Sequence, residues 1–184
     1  MNINRNNSVD YKITNLLDRY ASLEKEIQKL IYQTCGHFCG KCSSRCCKEE
    51  ICEESIESTF LSMLVERQGV QYDLQNGWMS ASGCRLFYGR PLVCYEFFCK
   101  DILKSHLFRA INIKKIVNDF VSVGNRARGN THLICVDNLE IISSLRIDKM
   151  IYKIGLATDE KNNIRFHSDG LIVPDFACDW ESLW

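Results

Sequence analysis

The chain has 184 residues, 46% of them hydrophobic and 25% charged, enough for one domain with an apolar core or a smaller core beside a metal-stapled module. Lys plus Arg (23) equals Asp plus Glu (23), and this zero formal charge argues against a nucleic-acid or anionic-membrane partner bound through phosphate neutralisation. Residues 1–8 are polar with no signal-peptide core behind them, and no run approaches the roughly 18 apolar residues of a membrane span. The expectation is a cytoplasmic protein whose thiols are kept reduced.

Residues 1–9 read as a loose tail. From Ile13 the apolar positions 13, 16, 20, 23, 27 and 30 alternate spacings of three and four, the signature of one helix face. Glu24, Lys25, Glu26 and Lys29 fall on the faces between. This spacing predicts an amphipathic helix ending near Gln33 and packing on its own domain. Recruitment of a helical partner, or self-association, is the sharper alternative, although a coiled coil usually needs at least three heptads.

Ile56, Phe60, Leu61, Met63, Leu64 and Val65 predict a second helix, acidic at its positive end and closed by Gly69. Residues 78–92, punctuated by Gly-Arg-Pro, predict short strands and turns. Residues 101–123 predict a helix stopped by Gly124, and residues 131–136 a strand in which Cys135 is a buried small apolar residue. Residues 139–154 predict a helix ended by Gly155, and residues 164–173 a β-hairpin turning at Ser-Asp-Gly. The fold class is therefore α+β: a small, irregular, cysteine-rich metal-held domain with an N-terminal amphipathic helix and a C-terminal helix and hairpin segment. The expected divisions are 1–34, 35–100 for the cysteine cluster, and 101–184 packed on the same core.

Nine of the 11 cysteines lie between residues 35 and 99, and five crowd into Cys35-Gly-His-Phe-Cys39-Gly-Lys-Cys42-Ser-Ser-Arg-Cys46-Cys47. Thiolates at two- and three-residue gaps can converge on one Zn ion or one iron–sulfur cluster. An odd cysteine count in a reducing compartment fits metal binding better than a disulfide framework. Cys84, Cys94 and Cys99 follow from a later segment, so a site drawing on both would close the intervening loop and contribute folding free energy. Lys41, Arg45, Lys48, Arg85 and Arg90 lie close by in sequence, as charge compensation for thiolates or as ordinary surface charges. Phe87, Tyr88, Tyr95, Phe97 and Phe98 could wall the site off from water or simply form core.

Cys39-x2-Cys42-x3-Cys46-Cys47, followed by Gly83-Cys84-Arg-Leu-Phe-Tyr-Gly-Arg90-Pro91-Leu-Val-Cys94, resembles the cysteine-cluster family described as a zinc- or iron-chelating domain. The resemblance covers about residues 35–99 and implies chelation of Zn or Fe, a 4Fe–4S cluster included. Cysteine segments of this kind also occur in flagellin lysine methylases. The sequence departs from the family pattern after Cys94, where Tyr95-Glu-Phe-Phe-Cys99 replaces an aromatic–proline step. Cys35 and Cys52 are additional to the pattern.

The expected metal ligands are Cys39, Cys42, Cys46, Cys47, Cys84 and Cys94, with Cys35 and Cys99 next. His37 lies among them and is a weaker candidate, while Cys178 is not chosen. One four-thiolate site with spare cysteines, or two separate sites, would use them. An iron–sulfur-dependent enzyme of redox or methyl-transfer type and a metal-stabilised interaction module are the alternative functions. Cys35-x3-Cys39-x2-Cys42 also matches the radical S-adenosylmethionine spacing, but a helix precedes it and Lys41 stands where an aromatic residue is usual. A thiol-redox Cys39-Gly-Lys-Cys42 lacks its strand-to-helix context.

Overall fold

The computed structural model describes residues 3–39, 49–80, 83–104 and 113–168. One long helix, α1 (Ile3–Cys39), forms the spine. The positions Ile13, Leu16, Tyr20, Leu23 and Ile27 are all buried, and Leu30 packs partly exposed at the edge. The stripe thus packs against the chain's own core. Helicity begins at Ile3 rather than after a tail, and it runs past Gln33 to Cys39. Buried Thr34 satisfies its hydroxyl within the helix by donating to the Leu30 carbonyl, 2.8 Å away.

Three short helices follow: α2 (Glu49–Cys52), α3 (Glu54–Glu57) and α4 (Thr59–Glu66). The single helix expected here is broken because Ser58 adopts an extended backbone and caps α4, its hydroxyl accepting from the Leu61 amide at 3.2 Å. Gly69, at φ +64°, makes the left-handed turn that ends this segment. A two-stranded antiparallel hairpin comes next, β1 (Met79–Ser80) and β2 (Gly83–Cys84), with Met79 opposite Cys84. Helices α5 (Val93–Glu96), α6 (Lys100–Lys104) and α7 (Ile113–Ser122) lead to two 3-10 turns, Leu133–Cys135 and Leu139–Ile141. Helix α8 (Ser144–Ser168) completes the described residues.

Helices α1 and α8 lie side by side and run parallel. Lys12 donates to the Asp148 carboxylate (2.6 Å) and to Ser144, while Glu26 further along α1 accepts from Lys161 (2.9 Å) further along α8. The main core fills the space between them and α4, α5, α6 and α7. Its centre is a chain of rings: Phe60 edge-on to Tyr20 at 5.0 Å, Tyr20 against Phe120 at 5.2 Å, and Phe120 edge-on to Tyr95 at 5.1 Å. Each such contact adds about 1 kcal/mol beyond the area it buries. A second, smaller cluster of Cys52, Val65, Trp78 and Leu86 sits under the hairpin.

The architecture is mostly helical with a small sheet, which agrees with α+β at a coarse level. Three local expectations need correction. Residues 131–136 form a turn of 3-10 helix because His132 caps it, its Nδ1 accepting from the Ile134 amide, and Thr131 bridges only to Arg128 in a tight turn. Cys135 is consequently exposed. Ile164 to His167 continue α8 instead of entering a hairpin, and residues 169–173 lie outside the described residues. Gly155 does not end α8, because the buried stripe Ile147, Met150, Ile154, Ala157 and Lys161 keeps the helical period across it. Its packing outweighs the roughly 1 kcal/mol cost of an interior glycine. Among the described residues no helix is long and apolar enough to cross a membrane.

Candidate metal centre

The Gly-Cys…Arg-Pro…Cys segment forms a limb, residues 83–95, held against α1 and α4 at several points. It begins at the hairpin, where the Asp73 carboxylate accepts from the Gln75 and Asn76 amides and shapes the preceding turn. These two amide bonds lower the carboxyl pKa of Asp73 below its usual range. Trp78, buried, donates its indole N–H to the Cys52 carbonyl at 3.2 Å and so seats the hairpin on α2. Gly77, at φ +57°, lets the backbone pass beside Cys52, whose Sγ would lie 3.1 Å from an added Cβ.

The loop from Leu86 to Arg90 is stapled internally and externally. Arg90 donates from both Nε (2.9 Å) and Nη2 (2.6 Å) to the Leu86 carbonyl. Gln68, just beyond α4, accepts from the Phe87 amide (2.8 Å) and donates to the Tyr88 carbonyl (2.9 Å). Lys25 of α1 lies over the Tyr88 ring, 4.6 Å from its centre. Gly89 has φ +76°, and an added Cβ would stand only 3.1 Å from Leu64 and 3.3 Å from the Leu61 carbonyl oxygen. No other residue type fits there without moving α4.

The strongest anchor is Glu24. Its side chain is fully buried, and its carboxylate accepts from the Gly89 amide (2.7 Å), the Arg90 amide (2.9 Å) and the Tyr95 hydroxyl (2.5 Å). Gln28, one turn on, donates to the same tyrosine oxygen at 2.7 Å. Burial raises the carboxyl pKa of Glu24, while the bonds from Tyr95, Gly89 and Arg90 and the guanidinium charge of Arg90 oppose that rise. Burial and the adjacent Glu24 also push the Tyr95 hydroxyl well above its ordinary range, so it remains a donor. For Arg90, burial pulls the guanidinium pKa down, but the acidic groups Tyr95, Cys84, Glu24 and Cys94 outweigh it and the net shift is upward.

Glu24 corrects the expectation that residues 24–26 occupy solvent-facing sides of the helix. A carboxylate one residue from Leu23 carries no sign of burial in its own chemistry. The available signal was spacing: Leu17, Tyr20, Glu24 and Ile27 also follow the alternating three-four pattern of a buried stripe.

The expected ligands distribute as follows. Cys84, on β2, is half-buried and packs on the smaller cluster; Cys94, in the first turn of α5, is exposed. Both lie within electrostatic reach of Arg90, which stands between them in sequence. Cys35 is buried in the main core near the end of α1, and half-buried Cys99 packs against the same core just before α6. Cys39 is the last residue of α1, with its side chain outside the described residues; Cys42, Cys46 and Cys47 lie outside them altogether. Cys178 and the side chain of His37 are outside them as well. Among the described residues no three His, Cys, Asp or Glu side chains gather into a group able to hold a metal ion.

The aromatic residues divide. Tyr95 is core, whereas Phe97 is 60% exposed and Phe87 is 42% exposed. Arg85 is occupied by the Gly77 carbonyl, to which its Nη2 donates at 3.2 Å. The donor chemistry of the limb suits a soft ion: it carries two thiols, with Arg90 between them in sequence as a cation that would offset thiolate charge. No family model, curated protein or solved structure matches the chain.

Proposed function

We propose that this is a cytosolic metal-binding protein whose cysteine thiolates hold Zn or an iron–sulfur centre. The observation that carries the reading is the two-part cysteine pattern: Cys39, Cys42, Cys46 and Cys47 in one stretch, Cys84 and Cys94 in another. The arrangement of the second stretch supports it. Cys84 and Cys94 occupy a limb fixed by Glu24, Gln68 and Arg90, and neither is absorbed into the main core. Cys35 and Cys99, packed against that core, rank below them as ligands.

Cys84 and Cys94 would supply thiolates from the limb and the 39–47 stretch the remainder. When bound, zinc would act as a cross-link between the two stretches, and an iron–sulfur centre would add one-electron chemistry. Arg90 would offset the negative charge of either.

Anaerobic purification with metal counting and absorption spectroscopy tests the reading. A stoichiometric Zn content with no visible absorption, or iron with sulfide and a brown colour, is the expected outcome. Protein containing neither metal, and taking up neither on reconstitution, overturns it.

A further inference from the structure

We infer that the outward face of α8 is a self-association surface, on which a second copy of this chain packs its own α8 in antiparallel orientation. The inference is independent of the metal-binding reading, since α8 carries no cysteine.

Helix α8 has two apolar faces. Ile147, Met150, Ile154 and Ala157 are buried against the rest of the chain. Leu145, Tyr152 and Leu156 are instead 75%, 67% and 51% exposed, with exposed Lys149 between the first two. At about 100° per residue these four positions fall within about 60° of one another, on the side of the helix opposite the buried stripe. Single exposed apolar residues are ordinary, but three on one line of a helix form a patch. Ion pairs frame it. Asp148, on one side, is held by Lys12 at 2.6 Å, and Glu160, on the other, by Lys115. An apolar strip with a polar rim is the make-up of an interface.

The order of the four residues names the occupant. Positions 145, 149, 152 and 156 are spaced by four, three and four residues, a pattern that reads the same in both directions. A two-fold axis between Met150 and Ile151 therefore maps the line onto itself. An antiparallel second copy then sets Leu145 against Leu156 of the partner subunit and Lys149 against the partner's Tyr152, each contact occurring twice. A cation over a ring is a contact this chain already makes, where Lys25 lies 4.6 Å from the centre of Tyr88. A parallel copy would instead bring the two Lys149 ammonium groups together and lose both ring contacts. The charge pattern thus selects both the second copy and its direction. With about three turns in contact the interface is small, so the dimer is weak and depends on concentration.

The test is sedimentation equilibrium of the full chain up to millimolar concentration, under reducing conditions that prevent disulfide dimers. The wild type is expected to pass from monomer to dimer as concentration rises. Leu145→Lys and Leu156→Glu, each set against an apolar partner, are expected to weaken the dimer about tenfold. Tyr152→Lys sets lysine against lysine and is expected to weaken it at least as much. Combined in one chain, Leu145→Lys and Leu156→Glu meet as opposite charges in the antiparallel pairing. That double variant is expected to dimerise more tightly than either single variant. All three sites are exposed, so melting temperatures measured on the dilute monomers should stay close to wild type, which separates lost association from lost folding. A wild type that is monomeric throughout overturns the inference. Folded single variants that associate within about twofold of wild type also overturn it, because the contact then lies on another surface. So does a double variant weaker than both singles, which would make the pairing parallel.

Discussion

The α1–α8 core and the 83–95 limb are held by opposite means. In the core, periodic apolar side chains supply the free energy, and the ion pairs Lys12–Asp148 and Lys161–Glu26 mark register at its edges. In the limb, backbone amides and carbonyls are satisfied by single polar side chains reaching from other elements: Glu24, Gln68 and Arg90. The core is a sum of many similar terms, each replaceable by a neighbour of similar volume. The limb depends on a few unlike terms, and losing one leaves a buried donor with no acceptor.

That contrast sets the order of the mutational effects. Phe60→Ala, which opens a cavity beside Tyr20 in the ring chain, is expected to cost about 4 kcal/mol in urea unfolding with the helical content retained. Glu24→Ala, a smaller deletion, is expected to cost about 3 kcal/mol, because two amides and a hydroxyl lose their common acceptor. Its mark is local: hydrogen exchange should accelerate at Gly89 and Arg90 more than at residues of α8. Uniform acceleration instead would place Glu24 in the same class as Phe60 and dissolve the distinction. Gln68→Ala removes two partly exposed bonds to the loop and should cost about 1 kcal/mol. If it costs nothing, the loop is held by Glu24 and Arg90 alone.

The smallest effect concerns pH. Burial, its first cause, lowers the pKa of His132, whose Nδ1 must stay unprotonated to accept from Ile134. An unfolded histidine titrates near 6.5, about where the unfolded chain begins to bind a proton that the folded one resists. The stability that His132 contributes is therefore complete above about pH 6.5 and declines as pH falls toward the folded value. Urea midpoints at pH 7.5 and about 5.5 should differ more for wild type than for His132→Gln.

How much could be read beforehand follows the same division. The α1 stripe was legible because apolar periodicity and burial are one property measured twice. The positive-φ turn at Gly69 was likewise readable from residue type. Three things were not. The continuation of α8 through Gly155 depends on its buried stripe packing against α1, a helix far away in sequence. The burial of Glu24 was hinted at only by its place in the 17, 20, 24, 27 spacing, since the donors that satisfy it, on Gly89 and Arg90, lie in no local window around residue 24. The 3-10 turn after His132 depends on an imidazole acting as a cap, where Thr, Ile and Val residues suggest a strand. For the candidate site, cysteine spacing located the segments of interest, but it gave no hint that Cys35 would belong to the core.

The parallel pairing of α1 with α8 has a consequence for biosynthesis. Helix α1 leaves the ribosome before α8, and it contributes one side to a contact whose other side, beginning at Ser144, is translated much later. At bacterial-to-eukaryotic elongation rates of about 5–20 residues per second, that side of α1 waits on the order of 10 s for its partner. During that interval the apolar face of α1 is covered only by the elements that precede α8. The nascent chain is therefore a natural client for a hydrophobic-binding chaperone until α8 emerges.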